Sequence, residues 1–128
     1  MDSRHKETLK KCQKTCENCA EICQNCIKSK GAQPDAQKCI QHCALCIKDC
    51  KTSIEECKKH MSECDDQECI VSCKETIAAG QNCIKTAENC IKECEKGGES
   101  CVESCKKHIA ACKAYIEAGQ GCLDCECC

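Results

Sequence analysis

The sequence predicts an all-α protein, an antiparallel up-down-up-down four-helix bundle with a cysteine-lined core. Three observations predict it. Cysteines recur in alternating steps of three and four residues along four stretches, the spacing of one face of an α-helix. Three short breaks separate the stretches, K-S-K-G-A-Q-P-D, D-D-Q-E and K-G-G-E-S, and short connections between long helices make antiparallel neighbours. Finally, the 128 residues include 23 cysteines and one tyrosine but no phenylalanine or tryptophan. Eleven isoleucines and five leucines and valines together are too few to fill an ordinary core of a single domain this long. Sulfur has to occupy the middle.

The first helix is expected over about 3–28. Its signature, C-Q-K-T-C-E-N-C-A-E-I-C-Q-N-C, puts Cys12, Cys16, Cys19, Cys23 and Cys26 on one stripe. Stepping back by the same interval adds Leu9 and His5. Gly31 stops this helix, Pro34 cannot continue it, and Asp35 is suited to cap the next.

The second helix is expected over 36–64, with the stripe Cys39, Cys43, Cys46, Cys50, Ser53, Cys57, His60 and Cys64. Asp65 with Glu68 then resembles a capping box. The third, over 67–96, carries Cys69, Cys73, Thr76, Gly80, Cys83, Ala87, Cys90 and Cys94. Ser100 with Glu103 forms a second box. The fourth, over 101–118, carries Cys101, Cys105, His108, Cys112 and Tyr115, and the same stripe runs on through Gly119 and Cys122. Residues 119–128, with Cys125, Cys127 and Cys128, read as an irregular tail.

All 20 cysteines through Cys122 fall on these stripes, which are two positions in each heptad of seven. A second stripe follows one residue later. It holds Ile40, Ile47, Ile54 and Met61, then Ile70, Ile77, Ile84 and Ile91, then Val102, Ile109, Ile116 and Leu123. Bundle helices add such an apolar flank to seal the core or a subunit contact. S-C-K-E-T-I-A-A at 72–79 resembles S-C-K-K-H-I-A-A at 104–111, so a helical solenoid is an alternative. Thiols converging on one line favour the closed bundle.

Charge is balanced, at a formal −2, which gives no nucleic-acid footprint and no acidic tail. The first residues, M-D-S-R-H-K-E-T-L-K-K, lack the apolar region of a secretory signal, and no run is apolar enough to span a membrane. Thiols four apart on a helix have near-parallel Cα–Cβ vectors and pair poorly as disulfides. The chain therefore reads as cytoplasmic, with reduced cysteines.

A core of bare thiolates is prohibitive in desolvation and repulsion, so two states are expected: neutral thiols, or thiolates neutralised by metal with release of protons. The isoleucine stripes do not depend on metal, so the metal-free chain is expected to be helical. Side chains at i and i+4 have Cβ atoms roughly 5–6 Å apart, a gap that two metal–sulfur bonds of about 2.3 Å each close. Soft thiolates select soft ions, Cu(I) first. A continuous stack of pairs suits its low coordination better than the tetrahedron preferred by zinc. The stripe cysteines are the candidate ligands, joined by His5, His60 and His108. His42 lies off the stripe. Met61 reads as packing and Tyr115 as a plug with a solvated hydroxyl. His5 and His60 sit at the end that collects the chain termini and would form the metal entrance. No catalytic constellation appears, and an enzyme is not expected.

The pairs Cys12/Cys16, Cys19/Cys23, Cys39/Cys43, Cys46/Cys50, Cys69/Cys73, Cys90/Cys94 and Cys101/Cys105, spread over four helices, resemble those of the bacterial copper storage proteins. The resemblance covers about 12–122. It implies a four-helix bundle holding many Cu(I) ions per chain. The missing signal resembles the cytosolic branch, which implies storage or detoxification and a homotetramer. The tail thiols depart from that pattern. Metallothionein-like zinc or cadmium buffering and a thiol redox role are the alternatives. Iron–sulfur ligation is disfavoured, because such clusters take C-x-x-C runs in loops.

Overall fold

The structure is a computed structural model that describes residues 4–125. Ser3, where the first helix was expected to begin, lies outside them, as do Cys127 and Cys128. Four helices account for nearly all of it: α1 (Arg4–Lys28), α2 (Asp35–Glu63), α3 (Gln67–Lys96) and α4 (Glu99–Leu123). Each packs on its neighbours in sequence and α1 closes the ring against α4, while diagonal pairs stay apart. The solenoid alternative is thereby removed.

Thiol contacts read out the register. Cys12 meets Cys50, Cys16 meets Cys46, Cys19 meets Cys43 and Cys23 meets Cys39, at 3.5–3.8 Å between sulfurs. Residue numbers rise on α1 as they fall on α2, so the pair is antiparallel. Cys83 with Cys112, Cys90 with Cys105 and Cys94 with Cys101 give the same register for α3 and α4.

The breaks end the helices by local chemistry. Lys30, at φ +54°, is the left-handed residue of a Schellman end, and Gly31, at φ +76°, returns its N–H to the Cys26 carbonyl at 2.9 Å. Gly97 and Gly98 both have positive φ and turn α3 into α4 where a side chain would be strained.

Three expected caps are displaced. Asp66, not Asp65, caps α3, accepting from the Glu68 and Cys69 N–H groups. Pro34 occupies the cap position of α2 and Asp35 is its first residue. There the Gln33 side-chain oxygen accepts from the Gln37 N–H at 3.2 Å. Helix α4 starts at Glu99, behind Gly98, so Ser100 lies inside it and its carbonyl accepts from Ser104.

The largest correction is at the other end of α4. The tail expected to be irregular from residue 119 is helical through Leu123. Two glycines cost this stretch about 1 kcal/mol each in propensity. Full burial of Cys122 and partial burial of Leu123 outweigh that cost. Cys122 therefore belongs to the core stripe, held by helix.

The isoleucine stripe flanks the cysteine core, half-buried except for the buried Ile54. Gln13 lies on the same flank in α1 and donates to the Ile116 carbonyl at 2.9 Å, tying α1 to α4. Among the described residues, no helix is long and apolar enough to cross a membrane.

Candidate metal centre

The stripes meet on the bundle axis. Every stripe cysteine is buried except Cys64, which is half-buried beyond the end of α2. No described cysteine is in a disulfide. Going inward from the end formed by the loops 29–34 and 97–98, the levels follow the register. Cys26 lies 3.2 Å from Cys101 and 4.0 Å from Cys94, with Ala36 buried beside them. Cys23, Cys39, Cys90 and Cys105 come next, linked by contacts of 3.5–3.7 Å. Cys19 and Cys43 follow, at the level of Ala87 and His108. Cys16, Cys46, Cys83 and Cys112 form a four-sulfur level with all ligand atoms within 4.8 Å of one another. Cys12 and Cys50 close this column.

His108 is built into the column. It is fully buried, with Nε2 at 3.2 Å from Cys19 Sγ and 3.4 Å from Cys112 Sγ, and Nδ1 at 2.7 Å from the Thr86 hydroxyl. Ala87 stands at the same level, where a large side chain would compete for the space. Thr86 fixes the ring, as outer partners of histidine ligands do. Nothing on the stripe pointed to Thr86, which lies one residue off it. Burial opposes a charged ring, but hydrogen bonding to Cys19 and Cys46 outweighs it and holds His108 up to about 11. Hydrogen bonds from Cys112, Cys23 and Cys43 hold Cys19 down to about 3. The two form a buried hydrogen-bonded imidazole–sulfur pair. At the loop end, burial pushes the Cys26 thiol up to about 12.

The column then stops. Leu9, Ser53, Thr76 and Tyr115 are buried at the next levels, and the Tyr115 and Ser53 hydroxyls hydrogen-bond to each other. The hydroxyl expected to be solvated is thus inside the protein. Burial, and then the nearby Cys12, push it up from the ordinary phenol range. Gly80 lies opposite the Tyr115 ring and gives room chiefly to Ile54. A Cβ at Gly80 would lie 3.6 Å from Tyr115 Cε1 and 3.1 Å from Ile54 Cγ1. These residues form a septum.

Beyond the septum lies a second, smaller group. His5, Cys57, Cys73 and Cys122 come one from each helix, with ligand atoms all within 4.8 Å. Cys122 Sγ is 3.6 Å from Cys73 Sγ, and His5 Nε2 is 4.0 Å from Cys73 Sγ. A hydrogen bond to Cys122 is the main cause pushing Cys57 up to about 12. Outermost, His60 Nε2 lies 3.1 Å from Cys69 Sγ and its ring stacks on His5, 4.5 Å between centroids. Burial, then His5, lower the His60 imidazolium below its ordinary range. A cleft of about 30 Å³ opens here between His5, Glu56, Lys59, His60 and Glu63.

All three stripe histidines therefore stand against thiols, while His42, off the stripe, is half-buried. Cys125 is half-buried past the end of α4. The expectation of one continuous stack is corrected: the septum splits the thiols into two compartments. Fold and site together define a class, a helical bundle whose core is a set of thiol clusters able to hold metal ions. No family model, curated protein or solved structure matches the chain.

Proposed function

We propose that the protein is a high-capacity store for Cu(I), held as thiolate complexes in the long column and released without chemical turnover. One observation carries the reading: the four-ligand groups of the column overlap. Cys46 and Cys112 belong to both the Cys16 and the His108 groups, and Cys39 belongs to both the Cys23 and the Cys26 groups. Shared sulfurs bridge neighbouring ions, which suits an ion content with two or three thiolates. Ions that each demand four private ligands would strand part of the column. The thiols must stay reduced, so the store works in the cytoplasm, and the resemblance adds a homo-oligomer.

Neutral thiols let the metal-free bundle fold, and each ion that enters displaces protons. His108, held by Thr86, stands beside Cys19 as a nitrogen donor for an ion in the column. The test is titration of the reduced chain with Cu(I) against a competing chelator. Tight uptake of many ions per chain is expected, and saturation at only a few would refute storage. The second reading is a zinc or cadmium buffer. It draws on the four-sulfur level of Cys16, Cys46, Cys83 and Cys112, whose one-per-helix arrangement also suits a tetrahedral ion. Equal retention of Zn(II) in competition with Cu(I) would favour it.

A further inference from the structure

We propose that His5, Cys57, Cys73 and Cys122 form a separate site for a single Zn(II) ion, insulated by the septum from the copper column. The inference rests on the storage reading for the column and differs from it for this compartment.

Geometry is the starting point. Zinc takes four ligands in a tetrahedron, with bonds of about 2.3 Å to sulfur and about 2.0 Å to imidazole nitrogen, so the edges of such a site measure about 3.5–3.8 Å. The Cys73–Cys122 and His5–Cys73 separations of 3.6 and 4.0 Å already approach those edges. Each helix supplies one ligand, so small shifts of four side chains close the tetrahedron without moving the backbone. Three cysteines and one histidine are an ordinary donor set for structural zinc.

Isolation decides which metal the set favours. On α2, Cys57 and the nearest column sulfur, Cys50, are seven residues apart, about 10 Å along the axis at 1.5 Å per residue. On α3 and α4 the gaps, Cys73 to Cys83 and Cys122 to Cys112, come to about 15 Å by the same rise. Two metal–sulfur bonds span less than half the shortest of these. Leu9, Ser53, Thr76 and Tyr115 fill the interval. No column thiol can bridge to an ion in this compartment, so the cluster chemistry that favours Cu(I) ends at the septum. A lone Cu(I) would use the three thiolates and leave the imidazole idle, whereas Zn(II) uses all four donors.

Two further features fit a resident ion. The Thr76 hydroxyl lies 3.4 Å from Cys122 Sγ while also reaching the Ser72 and Ala118 carbonyls, which orients that ligand from the septum side. His5 is 95 % buried, and its Nδ1 has no hydrogen-bond partner among the described residues. The nitrogen that faces the thiols is Nε2, so ligation takes the ring on that side and leaves Nδ1 as it is. Bound there, zinc would pin the free end of α1 to the other three helices. The compartment expected from sequence to be a metal entrance becomes a clasp.

The experiment uses the reduced full-length chain, supplied with one equivalent of Zn(II) and then titrated with Cu(I) from a chelate. Metal content is followed by mass spectrometry and the zinc shell by X-ray absorption. About one zinc per chain should remain while the column fills, with a shell of three sulfurs and one nitrogen. The double variant His5→Ala, Cys122→Ser should release that zinc yet still fill its column with copper. Zinc expelled before the column is full, or bound by four sulfurs, or held equally by the variant, overturns the proposal. The shell of the wild-type protein decides the matter even if the variant folds poorly. A chain that keeps its three-sulfur, one-nitrogen zinc but saturates at a few copper ions refutes storage alone. One that stores copper and loses zinc first refutes the clasp alone.

Discussion

Replacing Tyr115 by phenylalanine removes one hydroxyl from the septum and leaves the ring in place. Tyr115 is fully buried, and its partner Ser53 is 1 % exposed. A net intramolecular hydrogen bond is worth about 0.5–1.5 kcal/mol, and a buried group left unsatisfied costs about 1–3 kcal/mol. Ser53 has a fallback, because a helical serine can turn to the carbonyl four residues back, here that of Asp49. The expected loss is therefore about 1–1.5 kcal/mol. For a chain of this length that lowers Tm by about 4–6 °C. Thermal unfolding of the reduced, metal-free variant by far-UV circular dichroism measures it. Copper capacity should be unchanged, since no sulfur is lost. A Tm within about 1 °C of the wild type would show that the hydroxyl bond contributes nothing. A loss above about 3 kcal/mol would show that the ring had repacked and the septum had been lost with it.

Other outcomes follow from single residues. Cys46 belongs to two overlapping groups, so Cys46→Ala should lower Cu(I) capacity by roughly one to two ions in chelator competition, while Cys64→Ala, altering a half-buried residue outside the column, should not. Burial holds Cys26 up to about 12, against 9.0 for a free thiol. The unfolded chain therefore loses this proton first, and the contribution to metal-free stability is full below pH 9 and is lost as pH rises toward 12. Denaturant unfolding across that range should show the decline, and copper loading should abolish it. Gly119 is helical, and a Cβ there would meet Gln13 Nε2 at 3.4 Å, the end of a flexible side chain. Gly119→Ala should stabilise by about 0.5–1 kcal/mol through helix propensity; destabilisation would mean that Gln13 cannot yield its bond to Ile116.

The break at Asp65–Glu68 shows why boundaries were read less well than stripes. Asp65 and Asp66 are equally able to accept from a helix N-terminus, and the choice follows from the path of the chain into α3. At Gly119 and Gly121, propensity argued for an end of the helix. Propensity is a local quantity, and the burial of Cys122 that overrode it comes from three other helices. The stripe itself had already placed Cys122 on the core face.

The heptad spacing of sulfur determined that the chain is four helices, which face of each turns inward, and that the core is a store of soft ligands. Those follow from periodicity, and periodicity is written in one dimension. Which thiols share a level, where the column ends, and what surrounds His108 depend on the relative register of four helices. Leu9, Ser53, Thr76 and Tyr115 are scattered over more than 100 residues of sequence, and none of them alone signals a barrier. Antiparallel packing brings them to adjacent levels, where a hydroxyl pair and a ring opposite a glycine divide the core. His5 and Cys122 likewise come from opposite ends of the chain and become ligands of one group only because α1 and α4 close the ring.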